Sequence, residues 1–277
     1  MGLKIAITGT TGGLGKQLVL KLAGLNHDLV FINRNVEKSQ ELKQYVNEKY
    51  PNVNIENVVC DLLNIYSVKS AVRELEEKNI DVLILNSGIY NVPIFTTETG
   101  YNNVFTVNFI SQYYLARKLV ESKKVKKVVV VGSIAQKWAK INDADIDYTL
   151  SRNSNKIYGN SKKYLMFSLY QLLKENVDCA YSIAHPGITQ TNLTSHYPKV
   201  INWIVKLGMK IVFPSAKRAV RCIVSAVDND TGNIEWIGPK ICNIWGKPKK
   251  KLIKHVTTDE IRRIGEIADN IYNGLSN

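Results

Sequence analysis

The chain has little of what builds metal centres and disulfide frameworks: 277 residues include four cysteines and four histidines. Cys60, Cys179, Cys222 and Cys242 lie far apart and make no close pair of the kind found in zinc sites or redox dithiols, so reduced, buried thiols are the simpler reading. His27, His185, His196 and His255 are equally scattered. No His-x-x-x-His pair could seat an ion on one helix face, and no metal is expected. No secretory signal is expected either, since Met1 runs directly into Leu3-Lys4-Ile5-Ala6-Ile7, and a cytoplasmic protein is expected. Repeats, Pro-rich linkers and low-complexity blocks are absent too. Nothing therefore divides the chain, and residues 1–277 are expected to form a single domain.

What is plentiful is apolar and basic. Hydrophobic residues make up 45% and charged residues 22%, spread along the whole length, which excludes disordered and fibrous classes and points to a globular core. Net charge is +13, with lysine runs at Lys123-Lys124/Lys126-Lys127 and Lys247/Lys249-Lys250-Lys251/Lys254. Such runs attract phosphates or an anionic membrane, while a solvated basic surface is the simpler reading of each. No nucleic-acid-binding module or aromatic-basic stacking motif accompanies them, so no nucleic-acid partner is expected.

Short β-branched runs alternate with longer segments of helical period. Strands are expected at residues 3–8, 29–33, 54–60, 82–86, 128–132, 179–184 and 234–237; their continuous apolar character suits strands covered on both faces. Helices are expected at residues 15–25, 36–49, 65–79, 101–123, 157–175 and 215–228. The alternation predicts an α/β fold, a doubly wound, seven-stranded and mostly parallel sheet with helices on both faces.

Thr8-Gly9-Thr10-Thr11-Gly12-Gly13-Leu14-Gly15 follows the first strand and opens the first helix. In that context glycines permit a tight turn and bring a pyrophosphate close to the helix N-terminus, the dinucleotide-binding arrangement of a Rossmann-type domain; Gly9, Thr11, Gly13, Leu14 and Gly15 are the contacts expected. The second strand ends in Phe31-Ile32-Asn33-Arg34-Asn35. An acid there would bind a free ribose 2′-hydroxyl, whereas Arg34 offers a guanidinium to a 2′-phosphate, so NADP(H) is favoured over NAD(H). The alternative is that Arg34 only decorates a helix start. Asp61, in Cys60-Asp61-Leu62, could accept from an adenine amino group or serve as a helix N-cap.

A tyrosine and a lysine four apart on a helix share one face. That spacing occurs at Tyr45/Lys49, Tyr114/Lys118, Tyr158/Lys162 and Tyr170/Lys174, so spacing alone selects nothing. Only Tyr158-Gly159-Asn160-Ser161-Lys162 opens a helix downstream of an apolar strand ending in Val130-Val131-Gly132-Ser133. Residues at the carboxyl ends of such strands face the ligand crevice, which would put Ser133 beside a bound cofactor. Its alternative is a turn serine.

With these residues in hand, the chain resembles the short-chain dehydrogenase/reductase family over nearly its full length. The matching pieces, in the family's order, are Thr8–Gly15, Asp61-Leu62, Asn86-Ser87-Gly88, Asn108, Ser133, Tyr158/Lys162 and Pro186-Gly187. Within the family it is most similar to the retinol dehydrogenase and protochlorophyllide reductase branch, on Asn33-Arg34-Asn35, Tyr-Gly-Asn-Ser-Lys, His185-Pro186-Gly187-Ile188-Thr189-Gln190-Thr191 and the long Ser133 to Tyr158 separation. The resemblance implies that Tyr158 is the general acid/base and that Lys162 lowers its pKa and holds the nicotinamide ribose. It also implies that Ser133 orients the substrate oxygen and that Asn108 anchors a proton-relay water. Asn86, Ser87, Gly88, Pro186, Gly187 and Ile188 would border the cofactor, alongside Asn33, Arg34, Asp61 and Leu62. The usual Asn-Asn-Ala-Gly appears here as Leu85-Asn86-Ser87-Gly88, and Asp143, Asp145 and Asp147 are expected on a surface excursion before Tyr158.

The expected activity is hydride transfer between NADP(H) and a small-molecule carbonyl or alcohol, lipophilic or aromatic. An NADPH-binding regulator or sensor with little turnover is the alternative, disfavoured because Tyr158 and Lys162 are both present. Residues 191–214 would form a substrate lid, with apolar runs at 200–205 and 211–213 and Lys199, Lys206 and Lys210 on one stripe. The segment is too short and charged to span a bilayer but could lie on one through about 199–213. An oligomer contact, such as a homodimer interface, or covered core are its alternatives.

Overall fold

The structure is a computed structural model that describes residues 2–151, 153–174, 176–187, 215–231 and 234–276. Ile188, the lid expected at 191–214 and the membrane contact expected at 199–213 lie outside the described residues.

The described strands form one sheet in the order β3-β2-β1-β4-β5-β6-β7-β8. They are β1 (Lys4–Thr8), β2 (Asp28–Asn33), β3 (Ile55–Val59), β4 (Ile80–Leu85), β5 (Val125–Val131), β6 (Ala180–Ala184), β7 (Glu235–Ile241) and β8 (Trp245–Leu252). Neighbours pair in parallel up to β7, and β8 returns antiparallel. Pleating explains why these strands read as unbroken apolar runs: alternate residues enter opposite layers. Val128 and Val130 of β5 join one core cluster, Val129 and Val131 the other. Burying each such side chain stabilises the fold by about 1.5–3 kcal/mol.

One layer holds α1 (Gly13–Ala23), α2 (Val36–Lys49) and α7 (Ala216–Asp228). The other holds α3 (Ile65–Glu76), α4 (Asn103–Phe105), α5 (Ser111–Glu121), α6 (Ser154–Leu173) and α8 (Thr258–Ser276). Asparagine side chains fix several helix starts: Asn35 accepts from Lys38 N, Asn64 from Ser67 N, Asn102 from Phe105 N, and Asn153 from Asn155 N and Lys156 N. The last cap starts α6 just before Tyr158.

Four expectations need correction. Seven strands were expected, but residues after Ile241 form an eighth, Trp245–Leu252. The segment 101–123 is not one continuous helix: α4 and α5 flank a π-helical turn, Thr106–Ile110. Helix α8, unassigned from sequence, packs Ile261, Ile264 and Tyr272 into the layer of α5 and α6. Asp147, expected on the surface, is 7% exposed; its carboxylate accepts from Asn102 N and Thr149 and ties the excursion to the start of α4.

Both lysine runs have structural settings. In the first, Lys123 pairs with Asp178, Lys126 with Asp81 and Lys127 with Asp230. The second is the edge strand β8, where lysines discourage further strand pairing. Among the described residues no helix is long and apolar enough to cross a membrane, and no group of three or more metal-ligating side chains occurs.

Candidate active site

Strand order reverses between β1 and β4, which opens a crevice beyond their carboxyl ends. The glycine turn lies there. Gly9 has φ +71°, and a Cβ on it would sit 2.5 Å from Ser87 Oγ; one on Gly15 would sit 2.1 Å from the Gly9 carbonyl. A Cβ on Gly13 meets nothing within 4 Å. Gly9 and Gly15 thus serve the turn's own packing, while Gly13 borders open space. Thr11 and Leu14 are partly exposed beside it. Helix α1 has no side-chain cap and no acid in its first turn, so its leading N–H groups stay available to an anion.

Asn33 is buried, with its amide used internally: Oδ1 accepts from Thr10 N, and Nδ2 donates to Thr10 Oγ1 and Ser39 Oγ. It braces the glycine turn rather than offering a free amide. Arg34, next in sequence, is exposed. Asp61 Oδ1 accepts from Leu63 N at 3.0 Å, and the Leu62 carbonyl accepts from Ser111 Oγ at 2.7 Å. Asn86 joins β4 to β1, donating from Nδ2 to the carbonyls of Thr8 (2.9 Å) and Gly9 (3.2 Å). Its Oδ1 is buried without a partner, an acceptor left for a donor that the chain itself does not supply. The open flank of Gly13, the uncapped helix start and this orphaned oxygen together fit a dinucleotide.

Ser133 follows β5, and its Oγ accepts from Ala135 N at 3.2 Å to start a 3₁₀ turn, Ile134–Trp138. Helix α6 packs on that turn at Gly159, where a Cβ would lie 2.2 Å from the Ala135 carbonyl. Only glycine allows this approach, which brings Tyr158 within hydrogen-bonding reach of Ser133. Tyr158 is partly exposed as a residue, yet desolvation pushes its phenol up to about 12, with the Ser133 hydrogen bond opposing. Tyr90 packs edge-on against it at 5.3 Å between centroids and donates its hydroxyl to Asn155 Oδ1.

Lys162 is 2% exposed, and burial pushes it down to about 8. Its ammonium lies 6.0 Å from the Tyr158 ring centroid and donates to the carbonyls of Val131 (3.1 Å) and Ser87 (3.4 Å). Gly88 leaves room for it, since a Cβ there would be 3.4 Å from Lys162 Nζ and 3.5 Å from Asn108 Oδ1. Asn108 sits in the π turn, a geometry frequent at functional sites. Its side chain exchanges hydrogen bonds with the backbone of Ile89 (2.8 and 3.0 Å) and donates to Ser161 Oγ. Beyond β6, Pro186 is buried and Gly187 has φ +83°.

The fold therefore gathers Gly9–Gly15, Asn86-Ser87-Gly88, Asn108, Ser133, Tyr158 and Lys162 at one end of the sheet. Sequence reasoning assigned no individual role to Thr8, Tyr90, Gln112 or Gly159. Gln112 carries a readable signal: it is a polar residue one helical turn after Asn108 in a largely apolar stretch.

Comparison with known proteins places the chain in a family. The family described as short chain dehydrogenase matches residues 4–145, just over half of the chain. Human polyprenol dehydrogenase is 25% identical over 219 residues, covering 74% of this chain and 65% of that protein. Mouse retinol dehydrogenase 14 is 28% identical over 212 residues, covering 70% of this chain and 64% of its own. The chain thus spans less than two thirds of the length of these curated relatives. A short-chain dehydrogenase from Sphingobium yanoikuyae, solved in complex with NADPH, superposes with a TM-score of 0.60 at 21% identity, over 82% of this chain and 84% of that one.

Proposed function

The chain belongs to the short-chain dehydrogenase family, in its retinol dehydrogenase-like branch, and from that premise we propose that it is an NADP(H)-dependent oxidoreductase acting on a lipophilic carbonyl or alcohol. The observation that carries this reading is the meeting of Tyr158 with Ser133 on one side and Lys162 one helical turn away, at the crevice the glycine turn opens. When bound, a nicotinamide dinucleotide supplies or accepts the hydride.

The residues divide the remaining work. The first N–H groups of α1, with the open flank at Gly13, would hold the pyrophosphate, and Arg34 a 2′-phosphate. Ser133 Oγ and the Tyr158 hydroxyl would bracket the substrate oxygen. A phenol held near 12 is protonated at neutral pH, the form needed to give a proton to a carbonyl oxygen as hydride arrives. Running the other way, deprotonating it near pH 7 calls for about 7 kcal/mol of preferential phenolate stabilisation. Lys162 in its charged form contributes to that. Asn108 fixes the position of Ser161, and so of the turn of α6 that carries Lys162.

Lipophilic substrates are favoured by two observations. Retinol and polyprenol, in the names of the relatives, are apolar alcohols. Segments leaving the site also present apolar side chains: Trp138, ending the turn that begins at Ser133, is 58% exposed, and Phe95, after Gly88, is 53% exposed. A panel of apolar aldehydes, ketones and alcohols, followed by NADPH and NADH absorbance, tests the reading. Turnover with NADPH preferred, falling by at least ~100-fold in Tyr158→Phe, is expected. Full activity in that variant would refute the assigned role.

A further inference from the structure

We propose that Gln112 is a positioning residue that sets where the Lys162 ammonium rests by holding the Ser87 carbonyl and the Asn108 backbone in place. The inference rests on the reading of Tyr158 and Lys162 given above.

Gln112 is fully buried in the first turn of α5, just past the π turn that contains Asn108. Its Nε2 donates to the carbonyls of Ser87 (3.1 Å), Val107 (3.2 Å) and Asn108 (3.1 Å), and its Oε1 accepts from Thr8 Oγ1 (3.0 Å). The amide has one possible orientation. Thr8 Oγ1 already accepts from Asn86 N (2.9 Å) and Ser87 N (3.0 Å), so its own hydrogen goes to Oε1. Reversing the amide would set an oxygen against all these carbonyls.

The Ser87 carbonyl is the shared member. It accepts from Gln112 Nε2 on one side and from Lys162 Nζ on the other. Gly88, the next residue, also adjoins the lysine, since a Cβ there would lie 3.4 Å from Nζ. The step from π to α bonding leaves a main-chain carbonyl without its regular donor, and the Gln112 side chain donates there. One amide thus joins the end of β1, the turn after β4, the π turn and, through Ser87, the lysine on α6. An apolar side chain could fill the same buried volume. A donor with this reach is needed only if those carbonyls have to be held.

Two variants remove the hydrogen bonds while keeping an uncharged side chain of similar size: Gln112→Met, similar in length without a donor, and Gln112→Leu, similar in bulk without a donor. In the full chain, without cofactor or substrate, the pH dependence of Lys162 acetylation by acetic anhydride is followed by peptide mass spectrometry. The wild-type midpoint is expected near 8. Loss of a held acceptor disfavours the charged lysine, so the midpoint should fall by roughly one unit in both variants. Under turnover, kcat should fall about tenfold or more while KM and the NADPH dissociation constant change less than about twofold.

An unshifted midpoint in the folded variants overturns the proposal, whatever happens to their melting temperatures. If Gln112→Met fails to fold, Gln112→Asn, which keeps an amide one methylene short of Ser87, gives the same readout. Absence of any wild-type turnover would refute the oxidoreductase reading and leave the labelling midpoint to decide on Gln112. Turnover abolished in Tyr158→Phe, with unshifted midpoints in the Gln112 variants, would refute this inference alone.

Discussion

Lys162 weakens the folded chain by being buried in a nearly neutral cleft, and that penalty has a definite pH dependence. Its folded value lies near 8 against 10.5 for an ordinary lysine. Between those values the unfolded chain holds more protons at this position, so stability rises with pH across the window. Below it both states are charged and the penalty is full, about 3 kcal/mol for a gap of this size. Tyr158 acts in the opposite sense at higher pH: raised from 10 to about 12, it contributes stability below 10 that is lost between 10 and 12. Lys162→Met is therefore expected to be inactive yet more stable than wild type by up to ~3 kcal/mol near neutral pH, with the gain shrinking toward about pH 10. Urea denaturation across that range checks it, and a gain that stays flat with pH would contradict it. At this scale the sequence showed which residues to expect at the site but not how their atoms are used. Asn33 matches the family pattern, yet its amide is committed to Thr10 and Ser39. No one-dimensional pattern reveals that commitment.

Within single elements, glycines decide how closely the functional side chains approach one another. Gly159 and Gly13 make opposite predictions. A methyl at Gly159 would meet the Ala135 carbonyl at 2.2 Å, so Gly159→Ala must push α6 away from the turn that carries Ser133. A stability loss of about 1–3 kcal/mol is expected, with activity lost in parallel. A methyl at Gly13 meets nothing within 4 Å, so Gly13→Ala should leave thermal stability unchanged and weaken NADPH binding. Melting curves and cofactor titrations on both variants distinguish these effects; equal behaviour would mean that Gly13 does not border the ligand. Helix α6 was legible because its apolar spacing and Tyr-Gly-Asn-Ser-Lys agree. The π turn at Thr106–Ile110 was not, because one extra residue per turn leaves the apolar pattern of residues 101–123 almost intact.

Across the whole molecule, the central parallel strands β1, β2, β4, β5 and β6 could be read from sequence because they are largely buried on both faces and so are mostly apolar. Strand β8 escaped for the converse reason: Lys247, Lys249 and Lys250 are exposed on the last strand of the sheet, where polarity is tolerated and protects the edge. Helix α8 carries a legible apolar stripe at Ile261, Ile264, Ala268 and Ile271, and joins the core beside α5 and α6. What the sheet accomplishes is to bring residues 9–15, 86–88, 108, 133, 158 and 162 to one edge, at the reversal of strand order. A crystal structure of the chain grown with NADP+ tests that claim most directly. The account predicts the pyrophosphate at the N-terminus of α1, the 2′-phosphate at Arg34 and the nicotinamide end beside Tyr158 and Lys162. Dinucleotide density on another face of the sheet, or lying with its nicotinamide away from Tyr158, would contradict it.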